Sequence, residues 1–120
     1  MSLIGRLHYR RDFDNLRING KKVKRGFLSV AFNPGDDFSD GVRVAFAIGR
    51  SVGGAVVRNR VKRRLREVFH QMINKQISIP SGDYLIRVFP GAENKSFTCL
   101  TQTLEKIVED LRKDIGSRGY

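Results

Sequence analysis

The stretch RNRVKRRLR, from Arg58 to Arg66, constrains this chain more than any other, because it holds six cationic residues and no acidic one. When the region is placed on a helix at about 100° per residue, its apolar side chains fall within one arc of roughly 120°. These are Val57, Val61, Leu65, Val68, Phe69 and Met72. The opposite side carries Asn59, Lys62, Arg63 and Arg66. The pattern predicts a helix that packs one face on a core and presents cations on the other.

The cations of this helix could form no more than a solvated face, which is what most charge runs are. Such a face usually mixes Glu with Lys at four-residue spacing. Here no acid follows until Glu67, so the repulsion between the cations must be relieved from outside the chain. Arginine forks fit phosphate well, because they donate two parallel hydrogen bonds. The stretch therefore favours a polyanionic partner, above all a nucleic acid.

Charge is distributed unevenly along the 120 residues. Residues 1–66 hold 16 Lys/Arg and 5 Asp/Glu, which accounts for the whole net charge of +11, whereas residues 67–120 hold 7 of each. The length predicts a single domain, 1–120, with a core that needs no disulfide. No apolar run could span a bilayer, no signal peptide is visible, and Cys99 is the only cysteine. We therefore expect no membrane association and a cytoplasmic location.

The periodicity and turn signals predict an α+β fold in the order α-β-β-α-β-α, a two-layer sandwich with a small mixed sheet packed on helices. The predicted elements are a helix ending near Ile18, strands 27–32 and 42–48, a helix over 55–75, strand 83–89, and a last helix capped by Ser96. Strands 42–48 and 83–89 flank a helix, so they are candidates for parallel pairing through a crossover. The apolar strand 83–89 is expected at the centre of the sheet.

Catalytic chemistry finds little support in this chain. His8 and His70 are the only histidines, and no Cys/His spacing fits a metal site. Asp36, Asp37 and Asp40 lack the pattern of a calcium loop and are interpreted as a solvated loop. We predict no catalytic residue and no metal ligand. A general RNA-binding or ribosome-associated module, a DNA-binding domain and a stand-alone nuclease stay open as alternatives, the last disfavoured.

A family resemblance lies in the same region. The segment from Gly53 to Arg66, GGAVVRNRVKRRLR, resembles the arginine-asparagine-arginine signature of the bacterial ribonuclease P protein component family. Arg6-Leu7, Asp12-Phe13, Arg43–Phe46 and Asp83–Ile86 are similar to further family segments, so the resemblance covers nearly the whole chain. It implies a left-handed β-α-β crossover, which the residues themselves do not show.

The resemblance also implies a function. Family members bind a catalytic RNA, and the complex removes the 5′ leader of precursor tRNA with Mg²⁺ held by the RNA rather than by the protein. The implied partners are ribonuclease P RNA and precursor tRNA, with one protein per RNA. The protein would then be a non-catalytic subunit of an endoribonuclease, and not an enzyme by itself.

The resemblance implies site residues position by position. The implied RNA-binding residues are Arg50, Arg58, Asn59, Arg60, Lys62, Arg63 and Arg66. The implied leader-binding cleft holds Phe13 with the nearby cations Arg10, Arg11 and Arg17. Arg17 and Val30 stand where the family would be expected to place cleft aromatics. Phe27, Phe32 and Phe46 are alternative sources of aromatic surface, although each also fits a core position.

Overall fold

The computed structural model describes residues 4–6, 14, 16–18, 20–34, 42–74 and 82–117. Its centre is a five-stranded sheet in the spatial order β1-β4-β5-β3-β2. The strands are β1 (Ile4–Arg6), β2 (Lys21–Arg25), β3 (Leu28–Pro34), β4 (Val42–Ile48) and β5 (Gly82–Val88). Two long helices, which we call the basic helix (Ala55–Asn74) and the C-terminal helix (Phe97–Ser117), cover one face. Asp14 and residues 16–18 are also helical and are called the N-terminal helical segment.

The predicted crossover is present. β4 and β5 are parallel, with Val42 opposite Gly82 and Ile48 opposite Val88, and the basic helix joins them. β5 lies in the middle of the sheet, as its apolar sequence predicts, and pairs antiparallel with β3 on its other side. The α+β fold with a mixed sheet on helices is confirmed. The left-handed sense of the crossover stays an expectation from the resemblance.

The predicted order α-β-β-α-β-α omitted two strands. β1 is a three-residue strand parallel to β4. β2 has the sequence KKVKR and pairs antiparallel with β3 along its whole length. Its charges hid it from a prediction based on apolar alternation, yet lysines suit an edge strand because they discourage pairing with another chain. Only Val23 of β2 packs against the core.

The core lies between one sheet face and the two long helices. From the sheet, Leu28, Val30 and Phe32 of β3 point into it with at most 1% of their surface exposed. The Tyr84 ring packs against Phe32 at 4.7 Å and against Phe69 of the basic helix at 5.8 Å between centroids. Burial raises the pKa of the Tyr84 hydroxyl above its ordinary value of 10.0, so this ring stays neutral in the core.

The C-terminal helix is held at its start and along its length. Ser96 Oγ accepts a hydrogen bond from the Cys99 backbone N–H at 3.1 Å, which confirms the predicted cap. Leu100, Leu104 and Ile107 are fully buried on its inner side. None of the helices in the described ranges is long and apolar enough to cross a membrane.

Candidate nucleic-acid interface

The basic helix packs as its sequence predicts. Val61, Leu65, Val68, Phe69 and Met72 are at most 1% exposed. Asn59, Arg60, Lys62 and Arg63 are exposed, whereas Arg58 and Arg66 are half-buried. The helix has no acidic residue in its first turn, so its cations add to the positive end of the helix dipole. The start of this helix is therefore an electropositive surface that favours anions.

The predicted RNA-binding residues divide between two sides of the helix. On the side of β4, Arg58, Asn59 and Lys62 border a cavity of about 260 Å³ that we call the helix groove. Its other walls are Phe46, Ile48 and Ala55. The Arg58 Nε atom is buried and has no hydrogen-bond partner in the described chain. A buried donor without a partner carries an energetic cost, which the packing of Arg58 along the groove must offset.

The other side of the helix faces the start of the C-terminal helix. Arg60, Arg63 and Arg64 lie there with Glu67 and Phe97. Within the described ranges, the Arg64 side chain makes one long contact, of 3.5 Å, to the Lys95 carbonyl oxygen. Arg50 is exposed in the turn between β4 and the basic helix. The structure thus brings Arg58, Asn59 and Lys62 into one groove and sets Arg60 and Arg63 apart from it.

A second cavity lies on the face of the sheet away from the long helices. We call it the sheet cleft, and its volume is about 340 Å³. It is lined by Asp14, Arg17, Lys22, Ser29, Ala31, Leu85 and Arg87. The N-terminal helical segment forms one wall, because Leu16 is fully buried in a small cluster with Ala31, Ala45 and Leu85. The sheet cleft therefore lies between a helical segment and the sheet, and its role as the leader-binding cleft stays a prediction.

The predicted cleft residues have mixed outcomes. Arg17 lines the sheet cleft and pairs with Asp14 at 3.1 Å. Phe13, Arg10 and Arg11 lie outside the described residues, so their roles stay predictions. The expectation of a cleft position at Val30 is wrong, because this side chain points to the opposite face, into the core. Alternation along the strand explains the error: Leu28, Val30 and Phe32 share one face, which leaves Ser29 and Ala31 for the cleft.

The aromatic alternatives are also separated by the structure. Phe32 is a core residue, with 1% of its surface exposed. Phe46 is half-buried and forms a wall of the helix groove. Phe27 is half-buried at the end of the sheet, where the Lys95 ammonium lies 5.7 Å from its ring centroid. Sequence reasoning missed Lys22 and Arg87 as residues of the sheet cleft. For Arg87 the available signal was its alternation with the apolar Ile86 and Val88 in β5, whereas the charged sequence of β2 offered none for Lys22.

The turn before the basic helix depends on two adjacent glycines that play different parts. The Gly54 carbonyl oxygen accepts the first helical hydrogen bond, from the Arg58 N–H at 2.9 Å. A Cβ atom on Gly54 would meet nothing within 4 Å. A Cβ atom on Gly53 would lie 2.8 Å from Val57 Cγ1. Gly53 therefore lies too close to Val57 to carry a side chain without a shift in the turn.

We expect Gly53→Ala to destabilise the protein by about 1–3 kcal/mol, because the added methyl group overpacks against Val57. Gly54→Asn should change the free energy of unfolding by roughly a few tenths of a kcal/mol, since both residues are accepted at a helix N-cap. Urea unfolding of the two variants beside wild type measures both effects. Equal stability of Gly53→Ala and wild type would show that this contact relaxes freely.

No group of three or more His, Cys, Asp or Glu within the described ranges is placed to bind a metal ion. The carboxylates near the cations are used in ion pairs, such as Asp83 with Arg43 at 2.7 Å and Asp110 with Arg25 at 2.8 Å. The unpaired cations of the described surface are suited to binding an extended polyanion.

Comparison with known proteins agrees with this picture. Residues 2–112 match the ribonuclease P family model. A ribonuclease P protein component from Acidothermus cellulolyticus is 32% identical over 115 residues, covering 95% of this chain and 93% of the relative. One from Streptomyces avermitilis is 35% identical, with 88% and 90% covered. The RNase P protein from Thermotoga maritima superimposes with a TM-score of 0.73 at 28% identity, with 88% and 96% covered.

Proposed function

The chain belongs to the ribonuclease P protein family, and from that premise we propose how it acts as the protein subunit of ribonuclease P. The family role is processing of the tRNA 5′ leader, and the partner that membership implies is the ribonuclease P RNA. We assign the basic helix to that RNA and the sheet cleft to the leader of precursor tRNA. The observation that carries the proposal is the presence of two cation-lined cavities on different sides of one sheet.

The basic helix is suited to a folded RNA. Asn59, Arg60, Lys62 and Arg63 are exposed along it, so phosphates on a broad surface can reach them without any change in the fold. The helix groove adds Arg58, which lines it and carries a guanidinium group that can donate to a phosphate or ribose oxygen. Contacts of this kind position an RNA and depend little on its sequence.

The sheet cleft is suited to a single strand. Its floor consists of Ser29, Ala31 and Leu85, which leave room above the sheet, and its rim carries Arg17, Lys22 and Arg87. Cations that follow a strand's backbone are the common feature of proteins that bind single-stranded RNA. We propose that this cleft receives the leader and so favours precursor over mature tRNA.

The chemistry is assigned to the RNA subunit in this proposal. The described residues include no group of three or more His, Cys, Asp or Glu placed to hold a metal ion, and this supports assigning Mg²⁺ to the RNA. Mg²⁺ held by the RNA would supply the activation of water and the stabilisation of the leaving oxygen. The protein's own part is binding and orientation, with one protein per RNA. With precursor tRNA as substrate, the proposed compartment is the bacterial cytoplasm.

Reconstitution tests the proposal. We expect the purified protein alone to leave precursor tRNA intact at any Mg²⁺ concentration, and protein with a bacterial ribonuclease P RNA to release the leader at low Mg²⁺. The RNA alone at the same Mg²⁺ is the control. Cleavage by protein freed of all RNA would contradict the assignment of the chemistry to RNA. Equal binding of precursor and mature tRNA by the complex would favour a general RNA-binding module instead.

A further inference from the structure

Arg87 occupies an unusual place on the open face of the sheet. It lies on the central strand β5, and its register partners are Ser29 on β3 and Ala47 on β4. Both neighbours are small, so neither covers the guanidinium group, and Arg87 is exposed. The guanidinium group of Arg87, in the middle of the sheet, is therefore accessible from the side of β3 and from the side of β4.

Three other cations on this face have partners within the chain. Arg43 forms a two-pronged pair with Asp83, in which both nitrogen–oxygen distances are 2.7 Å. Arg17 pairs with Asp14, and the Lys24 ammonium lies 4.5 Å from the centroid of the Phe89 ring. The Arg87 side chain makes no hydrogen bond or ion pair with any residue in the described ranges. Its charge is therefore available to a bound anion.

Arg87 also connects two cavities. It lines the sheet cleft, and it lines a shallow groove of about 440 Å³ at the ends of β4 and β5. That end groove also includes Ile48, Gly49, Ser51 and Pro90. Ile48 in turn lines the helix groove beside Arg58 and Lys62. The three cavities follow one another around the end of the sheet, with Arg87 at the first junction and Ile48 at the second.

We infer that the sheet cleft and the end groove form one path for a single RNA strand, and that Arg87 binds a leader phosphate where the strand leaves the sheet cleft toward the basic helix. The inference rests on the proposed function. A phosphate suits this position better than a base, because the guanidinium can donate two hydrogen bonds to it and Ser29 adds a hydroxyl donor. Arg87 is thus assigned as a residue that helps distinguish precursor from mature tRNA.

The test compares Arg87→Gln with Lys106→Gln, which removes an exposed cation from the C-terminal helix. Each variant is reconstituted with ribonuclease P RNA, and its affinity is measured for precursor tRNA and for mature tRNA. Arg87→Gln should weaken precursor binding by about three- to tenfold, the range of an exposed charged contact, and leave mature tRNA unchanged. Arg87→Gln should also reduce the slope of log K against log salt for precursor binding by about 0.7. Lys106→Gln should match wild type in its affinity for both tRNAs, and both variants should have the melting temperature of wild type.

A leader with one uncharged methylphosphonate linkage, moved along the strand, locates the contact. At one linkage, the methylphosphonate should lower the affinity of the wild-type complex for precursor tRNA. The same linkage should cause no further loss of affinity in the Arg87→Gln complex. Independent losses at every linkage, or equal weakening of precursor and mature tRNA by Arg87→Gln, would overturn the inference and leave the leader-binding function standing. A wild-type complex that does not prefer precursor over mature tRNA would overturn the proposed function together with this inference.

Discussion

The Val61→Asp variant should fail to fold. Val61 is 1% exposed, in the centre of the face by which the basic helix packs on the sheet. A carboxylate there would be buried without a partner, at a cost above about 4 kcal/mol. Domains of this size have a total stability of about 5–15 kcal/mol, so the loss removes at least about a quarter of it at the upper end and nearly all of it at the lower end. Circular dichroism and thermal melting should show a chain with little cooperative structure.

Val56→Asp is the matched control for this prediction. It is the same substitution in the same helix, but Val56 is 78% exposed in the first turn. An acid in the first turn interacts favourably with the helix dipole, so the variant should melt close to wild type. Arg63→Ala should likewise keep the fold while weakening RNA assembly. A Val61→Asp protein that melts like Val56→Asp would show that the assigned helix faces are wrong.

Assembly with ribonuclease P RNA should weaken steeply with salt. If about four to six cations meet phosphates, the slope of log K against log salt should be roughly −3 to −5. Raising salt from about 50 to about 200 mM should then lower the affinity by about 60- to 1,000-fold. The physical reason is the release of counterions from RNA when the exposed cations of the basic helix bind its phosphates.

Single substitutions show which cations contribute. Lys62→Ala should reduce the salt slope by about 1, because Lys62 lies at the helix groove. Lys106→Ala, on the C-terminal helix, should leave the slope as it is in wild type. Filter binding or fluorescence titration at four or five salt concentrations measures each slope. A flat salt dependence of the wild-type protein would refute the electrostatic basis of the interface.

Some features of this protein follow from the sequence alone. The residues of β4 and the start of the basic helix at Ala55 agree with the prediction, as does the capping role of Ser96. The division of the basic helix into a buried and a charged side is also confirmed. These features depend on apolar periodicity and on turn residues, which act between neighbours in the chain.

The strand β2 shows where local reasoning ends. The sequence KKVKR lacks the apolar alternation of a typical strand, yet it pairs with β3. Contacts with residues far away in the sequence also stabilise it. Arg25 donates to Asp110, which lies 85 positions away, and Lys24 lies over the ring of Phe89. Contacts between residues so far apart in the sequence cannot be predicted from the local pattern of apolar and polar residues.

The interface itself was only partly predictable. The sequence identified the cations of the basic helix, but the tertiary structure decided that Arg58 and Lys62 share a groove with Phe46 while Arg60 and Arg63 do not. It also decided that Val30 belongs to the core and that Arg87 lies between two cavities. Periodicity determines which way a side chain points from its own element. What that side chain faces depends on strand order and packing, which are set by contacts between residues far apart in the chain.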